Sequence, residues 1–152
     1  MKPDTSTAIT DDDVLRAYPD VPIDHDNKGL YRGWLARELR LHRCTHCGHR
    51  HHPPQPCCPR CWSTDVRPQA VSGRGTVYSI VLLHGLQAPG ITDSEHPHPV
   101  VTVELDEQPG LRWTSTLIDR DPRTVRIGDP VDIAWIERHG QPYPVFCARA
   151  TT

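Results

Sequence analysis

Two short cysteine pairs constrain this chain more than anything else in it. Cys44 and Cys47 form one C-x-x-C unit, and Cys58 and Cys61 form another, within the stretch "RCTHCGHRHHPPQPCCPRC" over 43–61. Two residues between thiolates let a tight turn aim both sulfurs at one point. Two such knuckles facing each other set four sulfurs at tetrahedral corners about 2.3 Å from a zinc ion. Gly48 after the first knuckle has the backbone freedom such turns need, and Pro59 stiffens the second. Four thiolates leave no position for water, so the expected cofactor is structural zinc held by Cys44, Cys47, Cys58 and Cys61. Iron in a rubredoxin-type site takes the same ligands and is the rival metal. A thioredoxin-like redox motif would need only one C-x-x-C, inside a βαβ pattern that does not surround it here.

The remaining cysteines and the nearby histidines read differently. Cys57 adjoins a ligand, but the two-residue spacing to Cys61 selects Cys58 and leaves Cys57 spare. Cys147 lies far away in an apolar run, as a buried small hydrophobe does. His46 sits inside the first knuckle, and His49, His51 and His52 sit between the knuckles. With four thiolates at hand, these histidines are expected to be exposed loop residues.

A chain of 152 residues fits one ordinary domain or a small module joined to a larger one. Its 36% hydrophobic content, sixteen prolines and ten glycines favour short strands and many turns over long helices. No run approaches the roughly 18 apolar residues of a membrane helix, and "MKPDTSTAITDDD" lacks an apolar signal core. A soluble, cytoplasmic protein is expected, and C-x-x-C pairs suit a reducing compartment. The net charge of −2 hides a division. Residues 28–75 carry nine basic side chains against Glu38 and Asp65, whereas residues 1–27 and 76–152 are acidic. A basic block of this kind faces phosphate, an acidic partner or solvent.

"TDDDVLRAY" predicts a short helix capped by Thr10, ended by Pro19 and Pro22. "DNKGLYRGWLARELRL" predicts an amphipathic helix, with Leu30, Tyr31, Trp34, Leu35 and Leu39 at helical spacing. After Gly75 the period changes to two. Five strands are expected at 75–84, 99–105, 111–118, 131–137 and 143–149, separated by turn-rich segments. Short strands at this spacing suit a small Greek-key barrel of the OB type, with "DPRTVRIGDP" as the short helical link before the fourth strand. The fold class is therefore mainly β: N-terminal helices and a rubredoxin-like zinc ribbon, then a five-stranded OB-fold barrel. Its divisions are an acidic extension with a short helix (1–27), helix and ribbon (28–72), and barrel (73–152).

The order of motifs carries a resemblance. A helix with aromatics, a C-x-x-C-G knuckle, "PP", a C-P-x-C knuckle, then "SGRGTVYS", "VELDE" and "VRIGDPVDI" resembles the zinc-ribbon OB-fold acyl-CoA-associated proteins over roughly 28–150. The chain departs from the family pattern at Leu30-Tyr31, where paired Phe-Trp is common, at Cys57, and at Trp62, where glycine usually follows the knuckle. The resemblance implies a non-catalytic subunit docked on a thiolase-fold enzyme, as a heterotetramer with two copies of each chain. It also implies help in binding acyl-CoA, in settings that include steroid side-chain aldolases, and leaves condensation or cleavage open.

The residues agree. No Ser-His-Asp or Cys-His arrangement, phosphate loop or Rossmann glycine pattern can be placed, so the chain is not expected to catalyse alone. Single-stranded nucleic-acid binding is the competing class, since zinc ribbons and OB folds both serve it. Against it, the inferred barrel is acidic, and Tyr78, Trp113, Trp135, Tyr143 and Phe146 are needed for core rather than for stacking bases. The candidate acyl-CoA residues are Arg74, between Gly73 and Gly75 at the junction of ribbon and barrel, with Tyr78 and His84. Arginine holds phosphates with paired hydrogen bonds. Counting by two from Ile80 puts Tyr78 and His84 on one strand face, along an acyl or pantetheine path.

Overall fold

Helix α1 (Asp11–Ala17) begins at the predicted cap: Asp13 N–H donates to the Thr10 hydroxyl, and the Asp13 carboxylate accepts from Thr10 N–H in return. This structure is a computed structural model that describes residues 8–84 and 96–150. Helix α2 (Lys28–Leu35) is shorter than its apolar period suggests. Arg37 turns to φ 55° and Glu38 N–H closes back on the Gly33 carbonyl at 2.8 Å. Leu39 is thus buried from the loop rather than from the helix.

A three-stranded sheet follows, in the order β2-β1-β3, from β1 (Arg40–Cys44), β2 (Arg50–His51) and β3 (Val66–Ala70). The second sheet runs β6-β5-β4-β7-β8, from β4 (Arg74–Leu83), β5 (His98–Leu105), β6 (Arg112–Ser115), β7 (Pro130–Arg138) and β8 (Gln141–Ala148). All neighbours within it are antiparallel. A 3-10 turn at Pro122–Thr124 supplies the predicted link before β7. Most of the predicted connection between β4 and β5, over 85–95, lies outside the described residues. The third barrel strand is shorter than predicted because its end changes partner. Leu117 leaves the β5 ladder and bridges Phe146 in parallel, with Phe146 N–H to Thr116 O and Ile118 N–H to Phe146 O, both 2.9 Å. That contact brings the two outer strands of the curled sheet together in the OB arrangement.

Ribbon and barrel share one core. Leu30 and Trp34 of α2, Leu39 and Leu41 of the ribbon, and Val77, Val103, Trp113 and Phe146 of the barrel form one buried cluster. Trp34 meets Trp113 edge-on at 6.1 Å and Tyr143 at 5.5 Å. Removing such a side chain costs about 3–5 kcal/mol. Residues before 28 join this packing. Val14 is fully buried, Tyr18 lies 5.2 Å from Tyr31, and its hydroxyl donates to the Pro142 carbonyl at 3.2 Å. Lys28 and Arg32 both pair with Asp11.

Candidate metal centre and ligand face

The two knuckles are built alike. In the first, Cys44 N–H donates to His49 O and Gly48 N–H to Cys44 O; in the second, Cys58 N–H donates to Ser63 O and Trp62 N–H to Cys58 O. The residue after each pair is left-handed, Gly48 at φ 75° and Trp62 at φ 62°. Glycine adopts this conformation without penalty, whereas a side chain there is strained. Trp62 accepts it as a residue 77% exposed to solvent.

These turns bring together the four predicted sulfurs. Sγ atoms of Cys44, Cys47, Cys58 and Cys61 all lie within 4.8 Å of one another, with Cys44–Cys61 and Cys47–Cys58 each at 3.6 Å. Tetrahedral corners at a Zn–S distance of about 2.3 Å are separated by about 3.8 Å, so the cluster fits zinc. Among the described residues this is the one cluster of its kind, and Cys57 is outside it. The amides of Cys47 and His46 favour the Cys44 thiolate and hold that thiol down at about 6. The Ser63 amide favours the Cys61 thiolate too, yet burial and the other three sulfurs push the Cys61 thiol up to about 12. Four thiolates crowd one another until a dication balances them.

The histidines are not all loop residues. His46 is exposed, but His51 is only 7% exposed on β2, opposite His42 at 6%, and their rings meet edge-on at 5.4 Å. His52 is half-buried against Trp113. The expectation of exposure failed because it ignored pairing: strand β2 folds the inter-knuckle segment back on β1. The turn after β5 secures this region. Arg50 N–H donates to Gln108 Oε1 and Gln108 Nε2 donates to Arg50 O, both at 2.8 Å. No sequence pattern flags that clasp.

Arg74, Tyr78 and His84 all lie on β4 or its end, and all three are exposed. A bulge between Val77 and Ser79 breaks the period of two. Tyr78 points outward while Ile80 packs on the core, so counting from Ile80 does not place Tyr78. Tyr78 is not core: it is 47% exposed, with the Arg112 guanidinium 3.5 Å above its ring. Gly73 and Gly75 have packing reasons of their own, since a Cβ would meet Ile133 at 2.1 Å and the Glu104 carbonyl at 2.3 Å. Cys147 is half-buried rather than buried, its thiol 3.5 Å from the Asp132 carbonyl. No helix among the described residues is long and apolar enough to cross a membrane.

Comparison with known proteins gives a consistent result. Residues 33–67 match "ChsH2, rubredoxin-like zinc ribbon domain" and residues 68–136 match "ChsH2, C-terminal OB-fold domain". The zinc is structural. A probable enoyl-CoA hydratase alpha subunit of Thermomonospora curvata is 36% identical over 134 residues, 88% of this chain and 40% of that protein. A 3-oxo-4,17-pregnadiene-20-carboxyl-CoA hydratase alpha subunit of Mycobacterium tuberculosis is 37% identical, over 74% of this chain and 34% of that protein. The chain thus spans well under half the length of these two relatives. A solved structure, the Ltp2-ChsH2(DUF35) aldolase, superposes with a TM-score of 0.75 at 34% identity, covering 84% of this chain and 98% of that one. Matched over nearly the whole length of that chain, with its ribbon and its barrel in the same order, this protein belongs to the DUF35 family of ChsH2-type zinc-ribbon and OB-fold proteins.

Proposed function

We propose that this chain is a non-catalytic accessory subunit that docks on a thiolase-fold enzyme and helps bind its acyl-CoA substrate. The observation that carries this reading is the end-to-end likeness to the DUF35 chain of an aldolase. An aldolase setting favours carbon–carbon cleavage, a retro-aldol reaction. The alpha-subunit relative named for a pregnadiene carboxyl-CoA points to steroid side-chain degradation. The hydratase activity in the relatives' names belongs to the longer proteins and is not carried over.

On this reading Cys44, Cys47, Cys58 and Cys61 each give one thiolate to the zinc, which locks the ribbon against the barrel and does no chemistry. The acidic extension (1–27), the ribbon unit (28–72) and the barrel (73–152) act as one docking body in a cytoplasmic complex of two copies of each chain. Arg74, Tyr78 and His84 would meet the CoA thioester along β4. The test is co-expression with thiolase-fold chains, then size measurement and acyl-CoA turnover of each component and of the complex. Turnover only in a retained complex is expected. Turnover by this chain alone, after rigorous removal of any partner, would overturn the reading.

A further inference from the structure

Three arginines stand side by side across the ribbon sheet. Arg43 on β1 is directly opposite Arg50 on β2 and Arg67 on β3. Residues paired this way project from one face with Cβ atoms about 4.5–5.5 Å apart, and like charges so placed repel. The core makes no use of the three charges, and the first knuckle takes only one long bond from them, Arg43 Nε to the Gly48 carbonyl.

Acids cancel only part of this charge. Arg43 Nη1 and Arg50 Nη2 both donate to one neutral acceptor, Gln69 Oε1, at 3.3 Å each, and Arg43 Nε reaches the Gly48 carbonyl at 3.4 Å. Arg50 Nε is buried with no partner among the described residues. Within the row only Arg67 is ion-paired among the described residues, to Asp65 at 3.1 Å, with both ends open to solvent. Glu107 feels the charge of Arg50 but accepts the Ser72 N–H. A cleft of about 450 Å³ opens beside the row, lined by Arg43, Arg67, Thr45, Gly48, Pro68 and Gln69.

Two guanidinium forks that already converge on a single oxygen are spaced for one tetrahedral anion. A phosphate has oxygens enough to take both forks and to offset the repulsion of the row. We propose that the Arg50–Arg43–Arg67 row is a phosphate site for the nucleotide end of a CoA thioester. The choice of carrier rests on the acyl-CoA reading above; the anion chemistry rests on the row alone.

The experiment is calorimetric titration of the full-length, zinc-loaded chain with adenosine 3′,5′-bisphosphate, and separately with a single-stranded oligonucleotide. Saturable binding of the bisphosphate is expected. Arg43→Gln and Arg50→Gln should each weaken it at least tenfold with zinc retained, and Arg16→Gln on α1 should not. Arg43→Lys keeps the charge but loses the fork, so a smaller loss is expected, which also covers any folding defect in the glutamine variant. Unliganded Arg43→Gln should melt no lower than the parent, because one repelling charge is gone. Bisphosphate affinity indifferent to both glutamine substitutions would overturn the proposal, as would tighter binding of the oligonucleotide through the same arginines. Failure to retain a thiolase-fold partner would sink the proposed function while leaving this result standing.

Discussion

The imidazole of His52 lies against the indole of Trp113, with ring centroids 4.5 Å apart. This contact joins the inter-knuckle segment to the third strand of the barrel. Burial above all, then the charges of His42 and His51, holds His52 down at about 4, from 6.5. Between those values the unfolded chain binds more protons than the folded one. Stability is therefore complete above about pH 6.5 and falls as the pH drops toward 4, by about 2–3 kcal/mol across the window. His51, also lowered by burial, acts in the same direction. Urea unfolding at several pH values, with zinc content checked at each, should show this slope, and His52→Gln should flatten it. A slope identical in the variant would refute the assignment.

Purified protein is expected to carry about one equivalent of zinc, since the four sulfurs are the one such cluster among the described residues. Cys58→Ser should lose the metal and with it the ribbon, because ligand binding and folding are coupled in sites of this size. Cys57→Ser should keep both. Metal analysis of the two variants, with near-ultraviolet circular dichroism for the ribbon's packing, separates them. Zinc retained by Cys58→Ser and lost by Cys57→Ser would reverse the ligand choice.

What the sequence made legible was local. C-x-x-C spacing, the Thr10 cap and the period of two each depend on residues a few positions apart, and they marked out the ribbon, α1 and the barrel strands. What it hid was long-range. The docking of Tyr18 on Pro142 joins residues 124 positions apart. The burial of His42 and His51 follows from strand pairing with β2, only two residues long. The arginine row exists only in the register of three strands, and its members are scattered over 43–67 in the chain. Even a single bulge after Val77 was enough to break the count from Ile80: Tyr78 stays on the exposed face of Arg74 and Thr76, while Ile80 packs on the core.

Gly75, beside Arg74, and Gly110, after β5, are glycines for different reasons. A Cβ at Gly75 would lie 2.3 Å from the Glu104 carbonyl and 2.6 Å from Val103 Cγ1, where the backbone of β5 cannot give way. Gly75→Ala should therefore destabilise by about 3 kcal/mol, at the upper end of overpacking costs. Gly110 has φ +81° but nothing within 4 Å of its Cβ position, so Gly110→Ala should cost only about 1 kcal/mol, from backbone strain. Denaturant midpoints of the two variants test the order. Gly75 is not among the left-handed glycines, so a loss no larger than that of Gly110→Ala would mean that β5 gives way to the added methyl and packing does not require glycine there.

Arg74 offers the last test, because its side chain is exposed on β4 and its role in packing is small. Its backbone carbonyl accepts Asp106 N–H at 2.9 Å, a bond that any replacement side chain retains. Arg74→Ala should accordingly leave zinc content, melting temperature and partner retention unchanged. If β4 carries the CoA thioester, the same substitution weakens acyl-CoA binding by the assembled complex about tenfold, on the order of 1.4 kcal/mol. Tyr78→Ala, which removes the ring under Arg112, should weaken it too, and should also cost about 0.5–1 kcal/mol of stability from the lost cation–π contact. Equilibrium dialysis of the complex with labelled acyl-CoA measures both. Unchanged affinity in Arg74→Ala, alongside a loss in Arg43→Gln, would remove Arg74 from the site and assign the phosphates to the ribbon row alone.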